Sequence, residues 1–225
     1  MTAVDSTRND VEGDDDATTA DLAPRYRSER GGYEIYTAPD LAPPLQPEDL
    51  TAEQLSEFAG YFEFSGLVDD EHDEETVRSS VAEMVRAIAP GNIVTPLFNQ
   101  GGASGMSLVH AWFGPHFPLF RHSHPRFGDC LYYIVAGSAV LGSRVLKPGD
   151  GFFVPNGMPY KYRAGPEGVE ILEFRAGGGV DDAPMLKLHE TSVESIQRIT
   201  EAATGLHDRW AEPPAHIGDT ANPTR

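Results

Sequence analysis

The sequence predicts a mainly β protein, a small sandwich or barrel with helices before and after it. Three observations carry this. Apolar residues follow a helical period up to about residue 91 and a period of two from Asn92 to Arg175. Glycine and proline punctuate that second stretch at short intervals, as turns between short strands do. Helical spacing then returns after residue 190.

Taken in order, residues 1–30 have no periodicity and a run of Asp14, Asp15 and Asp16, which predicts a disordered acidic tail. Residues 31–91 form an extended, Pro-rich stretch and two helices. Thr51 and Gln54 make a capping box before Leu55, Phe58 and Phe62. Asp73 caps a second helix whose face is Val77, Val81, Met84, Val85 and Ile88, and Ala89-Pro90-Gly91 stops it. Residues 92–178 are the β domain. Strands are expected at 93–98, 105–113, 117–121, 130–136, 138–141, 151–154, 160–163 and 169–175. Residues 179–225 hold a last helix, boxed by Thr191 and Glu194 and ended by Gly205, and a frayed tail from 211.

Composition narrows the function classes. The chain has 225 residues, 40% of them hydrophobic, enough for a buried core. Its net charge of −18 repels phosphate backbones, so a nucleic-acid partner is not expected. Apolar runs such as Leu131–Ala136 fall far short of the roughly 20 residues of a membrane helix, so a membrane partner is not expected either. The first ten residues lack the pattern of a secretory signal, and a single cysteine excludes an internal disulfide framework. Both points favour the cytoplasm.

The chemistry concentrates in Pro115–Gly137. His122 and His124 stand two apart, which on a strand puts both imidazoles on one face. Imidazole is the commonest metal ligand, and a pair on one face makes a two-point grip. His110 alternates with Met106, Leu108 and Trp112, facing either the cavity or a hydrogen-bonded place in the core. His116 reads as a loop residue. Glu173 shares parity with Val169 and Ile171, so it is either an inward carboxylate or a partner of Arg175. Tyr132, Tyr133, Tyr160 and Tyr162 form an aromatic set, most of which reads as barrel packing with bonded hydroxyls.

Residues 122–137, followed by Gly149, Pro155, Gly157 and Tyr160, resemble the cupin family over about residues 105–175. The first cupin motif is His-x-His, three or four residues, Glu, six residues, Gly. The second is Gly, five residues, Pro-x-Gly, two residues, His. The resemblance implies a jelly-roll barrel with a metal or ligand in its mouth. It supplies His122 and His124 as metal ligands and departs elsewhere. Tyr160 stands where the second-motif histidine belongs. The acidic position falls on Asp129 counting forward and on Cys130 counting back. Strand parity groups Cys130 with Tyr132 and Ile134, which favours Cys130 inward and Asp129 at the rim.

The resemblance therefore implies a divalent metal ion (Fe, Zn, Mn or Ni) on His122 and His124, with Cys130 or Asp129 as third ligand and Tyr160 as catalytic proton donor or acceptor. The partner would be a small organic molecule, and the reaction oxygenation, isomerisation, elimination or cyclisation. The alternative is a non-catalytic cupin that binds a small ligand in the barrel. Apolar helix faces and open sheet edges also lead us to expect a homodimer.

Overall fold

A computed structural model describes residues 25–100, 105–177 and 184–223. The chain divides into two compact units, Met1–Thr37 and Ala38–Arg225. In the first, β1 (Tyr26–Arg27) pairs antiparallel with β2 (Glu34–Ile35). An Arg27–Glu34 ion pair of 2.6 Å spans this hairpin. The expected disordered tail lies largely in residues 1–24, outside the described residues. Its last residues differ from the expectation, because Tyr26 and Arg27 are held by the hairpin.

In the second unit, α1 (Ala52–Gly60) carries the expected capping box, with Gln54 N donating to Thr51 Oγ1 at 3.2 Å and Thr51 N to Gln54 Oε1 at 3.0 Å. Asp73 caps α2 (Glu74–Ile88), which buries Val77, Val81, Met84 and Ile88. The third helix, α3 (Val193–Thr204), packs against α2. Its capping box is Ser192 with Ser195, one residue later than Thr191 with Glu194. Burial of Val193 and Ile196 sets that phase, and it leaves Glu194 exposed.

The remaining strands are β3 (Phe62–Glu63), β4 (Asn92–Asn99), β5 (Met106–Phe113), β6 (His122–Ser123), β7 (Cys130–Leu141), β8 (Arg144–Leu146), β9 (Gly151–Val154), β10 (Arg163–Ala176) and β11 (Leu186–Leu188). They form a six-stranded sheet, β4-β5-β10-β7-β8 with β9 also on β7, and a three-stranded sheet, β3-β11-β6. The expected mainly β class with flanking helices is what the structure has, but the ladders form two sheets and do not close into one barrel. Two expected strands merge into β7 through Gly137, whose φ is 67° and where a Cβ would stand 2.2 Å from Gly168 O, so no side chain fits. The expected strand at 117–121 is absent apart from a bridge at Pro118, since proline there has no N–H to continue a ladder. Residues 160–163 likewise give only a bridge at Tyr160 and the first residue of β10.

Register defines two faces of the large sheet. Ser107, Val109, Ala111 and Phe113 of β5 stand opposite Arg175, Glu173, Ile171 and Val169 of β10, and these stand level with Cys130, Tyr132, Ile134 and Gly137 of β7. This is the inner face, and Tyr132, Ile134, Val169 and Ile171 on it are fully buried. The outer face carries Trp112, His110 and Glu170 at one end. At the other end an apolar row crosses five strands, Phe98, Leu108, Phe174, Leu131 and Phe153, with Phe153 59% exposed.

The C-terminal segment differs from the expected frayed tail. Trp210 is buried against Gly91 and Gly114, where any Cβ would collide with its ring, and its Nε1 donates to Pro115 O at 3.0 Å. Further on, the Glu170 carboxylate accepts from Gly218 N at 2.6 Å, Thr220 N at 2.7 Å and His110 Nε2 at 2.9 Å. Burial raises the Glu170 pKa, but the bonds from His110, Gly218 and Thr220 outweigh it and hold the group below the ordinary value. His110 is therefore a core histidine on the outer face, and the cavity alternative does not hold.

Candidate metal centre

The inner face reaches its chemistry where β6 meets residue 160. His122 and Tyr160 exchange both backbone hydrogen bonds, N to O at 3.1 and 2.9 Å, so their side chains leave the same face side by side. The alternation of β6 sends Ser123 the other way, to His189 Nε2 at 2.9 Å. His124 returns to the His122 side. Its Nε2 lies 3.2 Å from His122 Nε2 and 3.0 Å from Tyr160 Oη. Tyr132 Oη completes the cluster 2.6 Å from Tyr160 Oη, and Phe152 stacks on the Tyr132 ring at 4.6 Å.

The structure thus brings together His122, His124 and Tyr160. Cys130 is buried and shares the inner face of β7 with Tyr132. Its thiol also lies 3.5 Å from Gly128 O, and burial pushes its pKa up. Asp129 is exposed, and its Oδ1 accepts from Asn156 N at 2.9 Å, which ties down the turn after β9. Among the described residues, no three or more His, Cys, Asp or Glu side chains converge as a metal-holding group. Glu173 and Arg175 are both inward, joined at 2.7 Å. Both alternatives for Glu173 therefore hold at once. His116 has a φ of 62° in its loop, and Gly149 and Gly157 have φ of 96° and 72°, the left-handed turns their positions require.

Proton placement decides what the cluster can do. His122 Nδ1 faces the Phe120 carbonyl at 3.0 Å, and a carbonyl only accepts, so Nδ1 carries the proton. His124 Nε2 is shared between His122 Nε2 at 3.2 Å and Tyr160 Oη at 3.0 Å. Burial pushes both imidazoles down to about 3, helped for His122 by the His124 charge and for His124 by the Arg175 charge. Both are therefore neutral near pH 7, and their Nε2 atoms face each other.

The phenols cannot fill that gap. Burial holds Tyr132 and Tyr160 well above 10, so both keep their protons. Tyr132 can donate to Tyr160, and Tyr160 to His124 Nε2. His122 Nε2 then has only His124 Nε2 beside it, and two imidazole nitrogens at 3.2 Å are joined either by a proton on His124 Nε2 or by a cation between them. A tetrahedral zinc ion with Zn–N about 2.0–2.1 Å would hold two nitrogens about 3.3 Å apart, so the pair fits a metal. The Phe120 carbonyl behind His122 Nδ1 sets that ring's tautomer, as an outer partner of a ligating histidine does.

No family model and no curated protein matches the chain. Solved structures do, and several are cupin-like. KdgF from a Halomonas species shares 25% identity, covering 39% of this chain and 80% of its own, with a TM-score of 0.33. A RmlC-like cupin from Shewanella frigidimarina shares 23%, over 42% and 83%, with a TM-score of 0.34. The polyketide cyclase RemF from Streptomyces resistomycificus shares 19%, over 51% and 84%, with a TM-score of 0.37.

Proposed function

We propose that this chain is a cupin that holds a divalent metal ion on His122 and His124 and acts on a small organic molecule at that point. One observation carries the reading. Two neutral imidazoles leave the same face with their Nε2 atoms 3.2 Å apart, in a buried cluster with Tyr160 and Tyr132.

The metal would be held by those two nitrogens, and bound there it would supply Lewis acidity toward a substrate oxygen. The surrounding residues do the rest. Tyr160 holds a proton at Oη within 3.0 Å of His124 Nε2, placed to give it to a bound molecule or to bond an oxygen of it. Tyr132 Oη is hydrogen-bonded to Tyr160 Oη and fixes that hydroxyl, and Phe152 stacks on the Tyr132 ring. A metal held by those two nitrogens would leave positions for the molecule acted on. The runner-up is a ligand-binding cupin without catalysis, and the high pKa of Tyr160 suits it equally well as a fixed donor. Metal analysis of the purified protein tests the reading. We expect about one equivalent in the wild type and a small fraction of it in a His122→Ala, His124→Ala variant. Equal metal in both would overturn it.

A further inference from the structure

The inner face holds two polar atoms that the metal reading does not use. Arg175 gives Nη2 to Glu173 at 2.7 Å and lays its guanidinium over the Phe127 ring at 4.4 Å. Its Nε is buried without a hydrogen-bond partner. Ser107 stands opposite Arg175 in the β5–β10 register, so both side chains leave the sheet on the same face. Ser107 is 6% exposed, and its Oγ is likewise buried without a partner. Buried donors without partners are rare in folded proteins, and two on adjacent strands beside a reactive cluster call for a ligand.

We propose that Arg175 Nε and Ser107 Oγ receive a carboxylate of the substrate, whose other end lies on the His122–His124 pair. The substrate class is thus a small organic acid. A planar carboxylate offers two acceptor oxygens to two adjacent donors, one of them cationic. Reach is geometric: the Phe127 ring that carries the Arg175 guanidinium at 4.4 Å lies 6.2 Å, centroid to centroid, from the His124 ring, and the Glu173 carboxylate is already paired with Arg175 Nη2. Phe127 and Glu173 hold the guanidinium in place, so little rotamer freedom is lost when the anion arrives.

The far end of the substrate rests on the metal reading; the Arg175–Ser107 end does not. Zinc titration followed by malonate titration, both by calorimetry, separates the two. Zinc should bind wild type and Ser107→Ala alike. Malonate should then bind the zinc-loaded wild type, and about tenfold or more weaker when Ser107→Ala or Arg175→Lys is made, as loss of a hydrogen bond to a charged group predicts. Inorganic phosphate should bind more weakly than malonate. Malonate affinity within twofold of wild type in both variants overturns the proposal, as does phosphate binding as tightly as malonate. If zinc fails to bind, the metal reading falls. The anion end is then judged by malonate binding to the metal-free protein, which must weaken in Ser107→Ala or the proposal falls too. Ser107→Ala removes one oxygen and keeps the strand, so misfolding of an Arg175 variant does not decide the outcome.

Discussion

Replacing Glu170 by Gln tests how the C-terminal segment is held. The carboxylate accepts three hydrogen bonds, at 2.6, 2.7 and 2.9 Å, and has no solvent exposure. Glutamine keeps one acceptor oxygen and turns an amide NH2 toward donors. At least one of the Gly218, Thr220 and His110 bonds is lost, and the charge assistance of the others goes with it. Bonds to a charged group contribute about 1.5–3 kcal/mol each, and breaking a buried pair costs about 3–5 kcal/mol, so we expect a loss of about 3 kcal/mol. The loss stays below the sum of three bonds because the segment can lift away and rehydrate its amides. Urea unfolding gives the free energy, and hydrogen exchange at the Gly218 and Thr220 amides gives the location. The Glu170 carboxyl is depressed below its ordinary value of 4.5. Its contribution is therefore full above about pH 4.5 and fades as pH falls through the folded value, a dependence the variant should lack. A loss under about 1 kcal/mol, or unchanged protection at both amides, refutes the reasoning.

Other outcomes follow from the same contacts. Trp210→Ala empties the site over Gly91 and Gly114 and should cost about 3–5 kcal/mol in thermal or urea unfolding. His122 and His124 are held near 3 when folded, so the unfolded chain takes up more protons as pH falls below 6.5. Stability of the metal-free protein should drop by up to about 1.4 kcal/mol per pH unit per histidine between 6.5 and 3, and less steeply in His122→Ala, as urea midpoints at pH 7 and 5 would show. Tyr160→Phe should leave metal content unchanged and lower any turnover, measured by metal analysis beside an assay. The sequence leads us to expect a homodimer that buries part of the N-terminal region; sedimentation at micromolar concentration should show dimer, and monomer alone would count against it.

Local patterns were legible, and long-range partners were not. The Thr51 box and the Asp73 cap are short-range chemistry, and both stand as read. Thr191 and Ser192 are adjacent cap residues, and only the burial of Val193 and Ile196 chooses between them. The parity that grouped His110 with Trp112 is correct, but both sheet faces are apolar there, so parity did not say which face holds the cavity. Glu170 gave no signal, because its partners lie 60, 48 and 50 residues away. The segment after Trp210 has no periodicity and is held by individual bonds. In the site, the His-x-His spacing and the position of Tyr160 were readable. Arg175 was read only as a partner for Glu173, since its place opposite Ser107 depends on a register between strands some 60 residues apart.

The central claim is that His122 and His124 share one metal ion through Nε2. X-ray absorption at the zinc edge, on protein loaded with one equivalent of zinc, tests it most directly. The account predicts two imidazole nitrogens in the first shell at about 2.0–2.1 Å, with both lost in the His122→Ala, His124→Ala variant. A first shell with no imidazole, or one that is identical in the variant, would contradict it.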